Sequence, residues 1–230
     1  MHDLREDLDP VWRATSRLSG ASDGARAVMF VSARSGEGVT SMAASFACMA
    51  ARRAEKPVWL VDLDLRNNTA YEAFKTRFAR DVGPPARAYD ASLREAPIYK
   101  ISPRVADGRQ EKLLTAHDIK GLPLLVTRFR SDRLKPGQSV ILQDSPGWWN
   151  ALRGLAGWVV VDAPALEASA AALTMASAVD GVILVVEADR TSPADIDAAR
   201  REIEAKRGRV LGVVMNRVRG DARFAERFSA

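Results

Sequence analysis

The chain has 230 residues, 47% of them hydrophobic, and 34 Lys and Arg against 29 Asp and Glu leave a net charge of +5. That length supports one large α/β domain whose core needs no cross-links, and the small, scattered surplus of positive charge favours acidic partners without selecting one. A single cysteine, Cys48, excludes a disulfide framework or a cysteine-based metal centre, and no run reaches the ~20 apolar residues of a membrane-crossing helix.

Asp3, Glu6, Asp7 and Asp9 make the first ten residues unlike a signal peptide, so a cytoplasmic protein is expected. Residues 1–25 are read as a helical or flexible N-terminal segment, 26–218 as the main domain and 219–230 as a basic C-terminal tail. Within the main domain, continuous apolar runs at Ala27 to Ser32, Val58 to Asp62, Leu124 to Thr127, Trp158 to Asp162, Val182 to Glu187 and Val210 to Met215 predict strands covered on both faces. Helices are expected between them at Thr40 to Arg53, Ala70 to Phe78, Asn150 to Leu155, Ala168 to Ala178 and Pro193 to Lys206. The last has Ser192 as its N-cap and Pro193 at its first position. This alternation predicts an α/β fold: a doubly wound, mostly parallel sheet flanked by helices in three layers. The stretch from Arg80 to Gly121, with Pro84, Pro85, Pro97 and Pro103, reads as long connections rather than a second domain.

The first strand-to-helix junction runs Ser32-Ala33-Arg34-Ser35-Gly36-Glu37-Gly38-Val39-Thr40-Ser41. Gly36 and Gly38 let backbone N–H groups curl around phosphate at the positive end of a helix, and Thr40 offers a hydroxyl to a metal. Val39 stands where such loops carry a lysine along the β- and γ-phosphates. Losing that charge-assisted hydrogen bond costs about 1.5 to 3 kcal/mol, and losing a contact aimed at the transition state costs roughly a hundred- to a thousandfold in rate. Binding is expected to survive better than turnover.

Two acidic strand ends extend the pattern. Val61-Asp62-Leu63-Asp64-Leu65-Arg66 and Val161-Asp162-Ala163-Pro164 put carboxylates at the carboxyl edge of the sheet. Hard cations prefer one or two such groups together with water and phosphate oxygens, so Thr40, Asp62 and Asp162 form a coherent set for Mg²⁺. His2 and His117 lack metal-ligand spacing, and Trp148 and Trp149 read as aromatics that close the core. Nothing resembles a sequence-reading nucleic-acid module.

Together with Leu211-Gly212-Val213-Val214-Met215-Asn216, these motifs resemble the cytoplasmic domain of the bacterial tyrosine kinases of capsule and exopolysaccharide export. That family is a branch of the P-loop ATPases that includes the division-site and partitioning ATPases. The resemblance runs from about Arg26 to Val218 and implies a P-loop NTPase-like fold with ATP or ADP and Mg²⁺ as cofactors. It implies Asp62, Asp64 and Asp162 as catalytic carboxylates, and Thr40, Asp62 and Asp162 around the metal. Arg34, Ser35, Gly36, Glu37, Gly38, Val39, Thr40 and Ser41 would line the nucleotide, with Asn216 facing the adenine. Its partners would be an inner-membrane co-polymerase or chain-length protein, which would recruit it to the membrane, and further copies of itself.

The sequence departs from that family at three places. Val39 replaces the lysine. Tyr71, Tyr89 and Tyr99 are internal and form no tyrosine-rich tail. Pro10 stands where the glutamate of a subunit-packing helix is expected. The reading is therefore a catalytically impaired relative, with vestigial carboxylates, that regulates surface-polysaccharide (exopolysaccharide, capsule or holdfast) assembly. The alternatives are a working tyrosine kinase or ATPase, with Arg34 as its main side-chain cation, and a partitioning or positioning ATPase.

Overall fold

A computed structural model describes residues 8–17, 24–103 and 112–218. Its centre is an eight-stranded sheet in the order β10-β9-β1-β8-β2-β6-β5-β3. The strands are β1 (Arg26–Val31), β2 (Val58–Asp62), β3 (Pro85–Asp90), β5 (Leu114–Ile119), β6 (Leu124–Phe129), β8 (Trp158–Asp162), β9 (Gly181–Glu187) and β10 (Val210–Asn216). From β10 to β6 all neighbours are parallel; β5 and β3 add on antiparallel. A separate antiparallel pair joins β4 (Tyr99–Ser102) to β7 (Ser139–Leu142).

Helices cover both faces. On one face lies α2 (Val39–Ala51), with α1 (Asp9–Ser16) and α3 (Thr69–Thr76) packed beside it. The apolar residues of α2 run round its whole circumference, and 11 of its 13 residues are buried, the state expected of a helix enclosed by a sheet below and other helices around it. Trp12 of α1 reaches over this helix, 6.0 Å from the Phe46 ring and 5.0 Å from that of Trp158. Arg53 holds it there, lying over the Trp12 ring and bonding Asp9 at 2.7 Å. The opposite face is covered by α4 (Pro146–Leu155), α5 (Ala171–Met175) and α6 (Pro193–Ala205). Cys48 is buried within α2 as a small core residue.

The parallel strands and their helices agree with the sequence reading, and four strands depart from it. β3, β4 and β5 lie in the stretch read as irregular, and β7 was not foreseen. The reason is physical. β3 exposes five of its six residues, and β5 interrupts its apolar residues with Thr115, His117 and Asp118, so neither carries the continuous apolar run of a strand covered on both faces. The prolines flank these strands instead of excluding them, with Pro85 opening β3 and Pro103 following β4. The fourth helix begins at Pro146, earlier than Asn150, and so takes in Trp148 and Trp149. Both are buried, and Trp148 Nε1 donates to the Ala91 carbonyl at 2.8 Å. The helix expected at 168–178 shortens to α5 plus a 3₁₀ turn, Ala176–Ala178. The expected basic tail lies outside the described residues.

Candidate functional site

β1 runs up the middle of the sheet between β8 and β9, and the loop that leaves it, Ser32 to Gly38, opens α2 at the carboxyl edge. Gly36 and Gly38 sit at φ +86° and +92°, the left-handed region that a side chain resists. Gly38 has a second reason to lack one: a Cβ there would lie 2.1 Å from Asn216 Nδ2. That amide donates to the Glu37 carbonyl at 2.8 Å and ties the end of β10 to the loop.

The Glu37 side chain faces inward and is fully buried. Its carboxylate accepts the N–H of Arg34 (3.0 Å), the N–H of Glu187 (3.2 Å) and the Thr191 hydroxyl. The loop is thus held in shape by a carboxylate of its own. No side chain caps α2, so the first-turn N–H groups have no intrahelical acceptor and present the positive end of the helix to an anion.

The expected loop residues are brought together, but their side chains have separate employments. Val39 is 8% exposed and belongs to the core cluster beneath α2. The guanidinium of Arg34 meets both Asp195 oxygens at 3.2 Å. The N–H of Ser35 donates to Glu167 Oε1 at 2.7 Å. Ser41 is partly exposed in the first turn of α2, and Asn216 is occupied with the loop as described. Glu187, Arg190 and Thr191, at the β9–α6 connection, were not anticipated; their only signal in the sequence was a place just past a strand's carboxyl end.

Asp62 and Asp162 end adjacent strands in register, each 2% exposed. The two carboxylates differ in their commitments. Asp62 accepts the N–H groups of Asp64 (2.9 Å) and Ala70 (2.7 Å), one on each oxygen, and so shapes the turn after β2. Asp162 Oδ2 is buried with no hydrogen-bond partner among the described residues. Burial raises the pKa of both, Asp62 well above the usual carboxylate range with Asp162 adding repulsion, and Asp162 to about 7 against the pull of the Thr40 and Thr69 hydroxyls. Asp64 is tied to Asn67 (3.1 and 2.9 Å to Nδ2) at the mouth of a groove of about 480 Å³ that Arg66, Ile141 and Thr174 also line.

An orphaned carboxylate oxygen beside the Thr40 hydroxyl fits a hard cation. Among the described residues no group of three or more His, Cys, Asp or Glu is arranged to hold a metal. Mg²⁺ takes one or two protein oxygens and keeps water and phosphate oxygens in its shell, and Asp162 with Thr40 offers donors of that kind.

Residues 28–229 match the family model described as the CobQ/CobB/MinD/ParA nucleotide binding domain. The chain belongs to this family. It is 26% identical over 195 residues to the tyrosine-protein kinase YwqD of Bacillus subtilis, covering 83% of this chain and 72% of that protein. It is 24% identical over 210 residues to the tyrosine-protein kinase CpsD of Streptococcus agalactiae, covering 90% and 80%. Among solved structures, the kinase domain of VpsO superposes with a TM-score of 0.59 at 18% identity, over 94% of each chain. These likenesses show a shared fold.

Proposed function

We propose that this chain binds Mg·ADP or Mg·ATP at the loop, turns the nucleotide over slowly or not at all, and acts by contact in surface-polysaccharide assembly. Its partner in this reading is the cytoplasmic part of an inner-membrane co-polymerase or chain-length protein, and contact with it would bring the chain to the membrane. The names of the relatives support a tyrosine-kinase-like descent, and the polysaccharide setting follows from the sequence resemblance. The observation that carries the loss of catalysis is Val39, whose side chain is packed into the core where the family's phosphate-gripping lysine is expected.

Each part of the site has a role in such binding. The uncapped first turn of α2 and the glycine-shaped loop would hold phosphate oxygens. Asp162, with Thr40, would hold Mg²⁺, which supplies charge neutralisation between phosphate oxygens when bound. Asp62 orients the turn that carries Asp64. None of these replaces a cation that follows the charge migrating onto the leaving group.

The test is incubation of the purified full chain with labelled Mg·ATP, with and without Val39→Lys. Nucleotide binding without hydrolysis or phosphotyrosine is the expected result, with tighter binding in Val39→Lys. Steady hydrolysis or phosphotyrosine from the unaltered chain defeats the impaired-catalyst reading. ATP-dependent dimers on DNA would favour a partitioning role instead.

A further inference from the structure

The connection between β9 and α6 brings a second arginine to the loop. A Cβ built on Gly36 would lie 3.6 Å from Arg190 Nη1, so this guanidinium rests against the glycine curve itself. Its field reaches the neighbouring Glu167, whose carboxyl is held below the usual range first by hydrogen bonds from Ser35 and then by the charges of Arg34 and Arg190.

Arg190 has an acidic partner, but a shared one. Glu187 Oε2 accepts from Arg190 Nη1 at 3.0 Å, and Glu187 Oε1 accepts from Arg217 Nη1 at 2.8 Å. One carboxylate divided between two guanidiniums neutralises neither completely. The Arg190 side chain is 48% exposed, so it can turn from Glu187 toward an anion without unpacking the core.

Arg34 is placed the other way. Both oxygens of Asp195 hold it, and it lines a cleft of about 310 Å³ together with Glu167, Asp195 and Glu202. Acidic groups outnumber it there, and they repel an approaching phosphate.

We propose that Arg190 is the side-chain cation this loop offers to the phosphates of a bound nucleoside di- or triphosphate, a ground-state contact that leaves the missing lysine's part in turnover unfilled. The inference rests on the nucleotide reading above. A guanidinium suits it, because its planar fork can bond two phosphate oxygens at once and keeps its charge at every physiological pH.

Calorimetric titration of the full chain with Mg·ADP and Mg·ATP at low salt tests the assignment. Arg190→Ala is expected to weaken binding roughly ten- to a hundredfold, the loss of one charge-assisted hydrogen bond. Arg190→Gln, which keeps a polar side chain with an N–H donor but no charge, is expected to fall with it, and Arg190→Lys to recover part of the affinity. Arg34→Ala should lose less than Arg190→Ala, Arg200→Ala on the outer face of α6 should lose nothing, and the Arg190 effect should shrink as salt is raised. Unchanged affinity in both Arg190→Ala and Arg190→Gln, or a larger loss from Arg34→Ala, overturns the assignment while leaving the nucleotide reading standing. An unaltered chain that binds neither nucleotide overturns both.

Discussion

Strands β1, β8 and β2 at the centre of the sheet bury every residue from Ala27 to Val31, Trp158 to Asp162 and Val58 to Asp62, whereas β3 at the far edge exposes Ala86 through Asp90. The two regions differ in what surrounds them. The central strands lie between two layers of helices, so their side chains must be apolar on both faces, and within the buried spans of β2 and β8 a polar side chain appears only at the carboxyl end. At the edge, β3 answers to one neighbour, β5, and to water. The candidate carboxylates Asp62 and Asp162 therefore stand on the most enclosed strands of the sheet.

Four tests, five substitutions in all, can break or sharpen this contrast. The largest effect is expected at Phe30→Ala in β1, a fully buried ring 5.3 Å from that of Phe46. Urea unfolding should register a loss of about 3 to 5 kcal/mol, and a loss no greater than that of an edge substitution would abolish the distinction. Next is Gly38→Ala, where left-handed strain is joined by the clash with the Asn216 amide. A cost of about 2 to 4 kcal/mol is expected, together with loss of nucleotide binding. Its companion is Gly137→Ala, also at positive φ (+80°) but with nothing within 4 Å of the added carbon. That change should cost only the backbone term of about 1 to 2 kcal/mol.

The third concerns charge. The pKa of Asp162 is raised by burial from 3.8 to about 7, so between those pH values the folded chain keeps a proton that the unfolded chain has released. Stability contributed in this way is present at low pH and is lost as pH rises through the window. Thermal melts of the metal-free protein should therefore fall from pH 5 to pH 7.5. In Asp162→Asn the fall should be shallower and the Tm at pH 7.5 higher, by about 2 to 4 °C for each kcal/mol relieved. A steeper fall in the variant would contradict the assignment. The smallest effect is expected at Tyr89→Ser on β3, where the ring is 42% exposed; chemical denaturation should show a change within about 0.5 kcal/mol.

The same contrast explains what the sequence could tell. Val58 to Asp62 and Trp158 to Asp162 announce themselves because burial on two faces leaves an unbroken apolar run, and Asp62 and Asp162 are conspicuous because each ends such a run. The loop glycines were legible for a similar reason, since few other contexts place Gly36 and Gly38 between a buried strand and a small-residue helix. Pro85-Ala86-Arg87-Ala88-Tyr89-Asp90 carries no such mark, as half-solvated strands draw their stability from pairing that a single segment does not reveal. Arg190 was hidden for another reason. Its distance to Gly36 spans more than 150 positions of chain and arises only because β9 and β1 are neighbours in the sheet.

Glu37 gives the loop an unusual independence. Many anion sites are completed by their anion, which gathers loosely placed donors around itself. In this chain a resident carboxylate already joins the backbone of Arg34 to the end of β9 and to Thr191. The cradle therefore has its curvature from bonds internal to the chain. Under the proposed reading, a partner that recognised that contour would have no need of nucleotide to shape it.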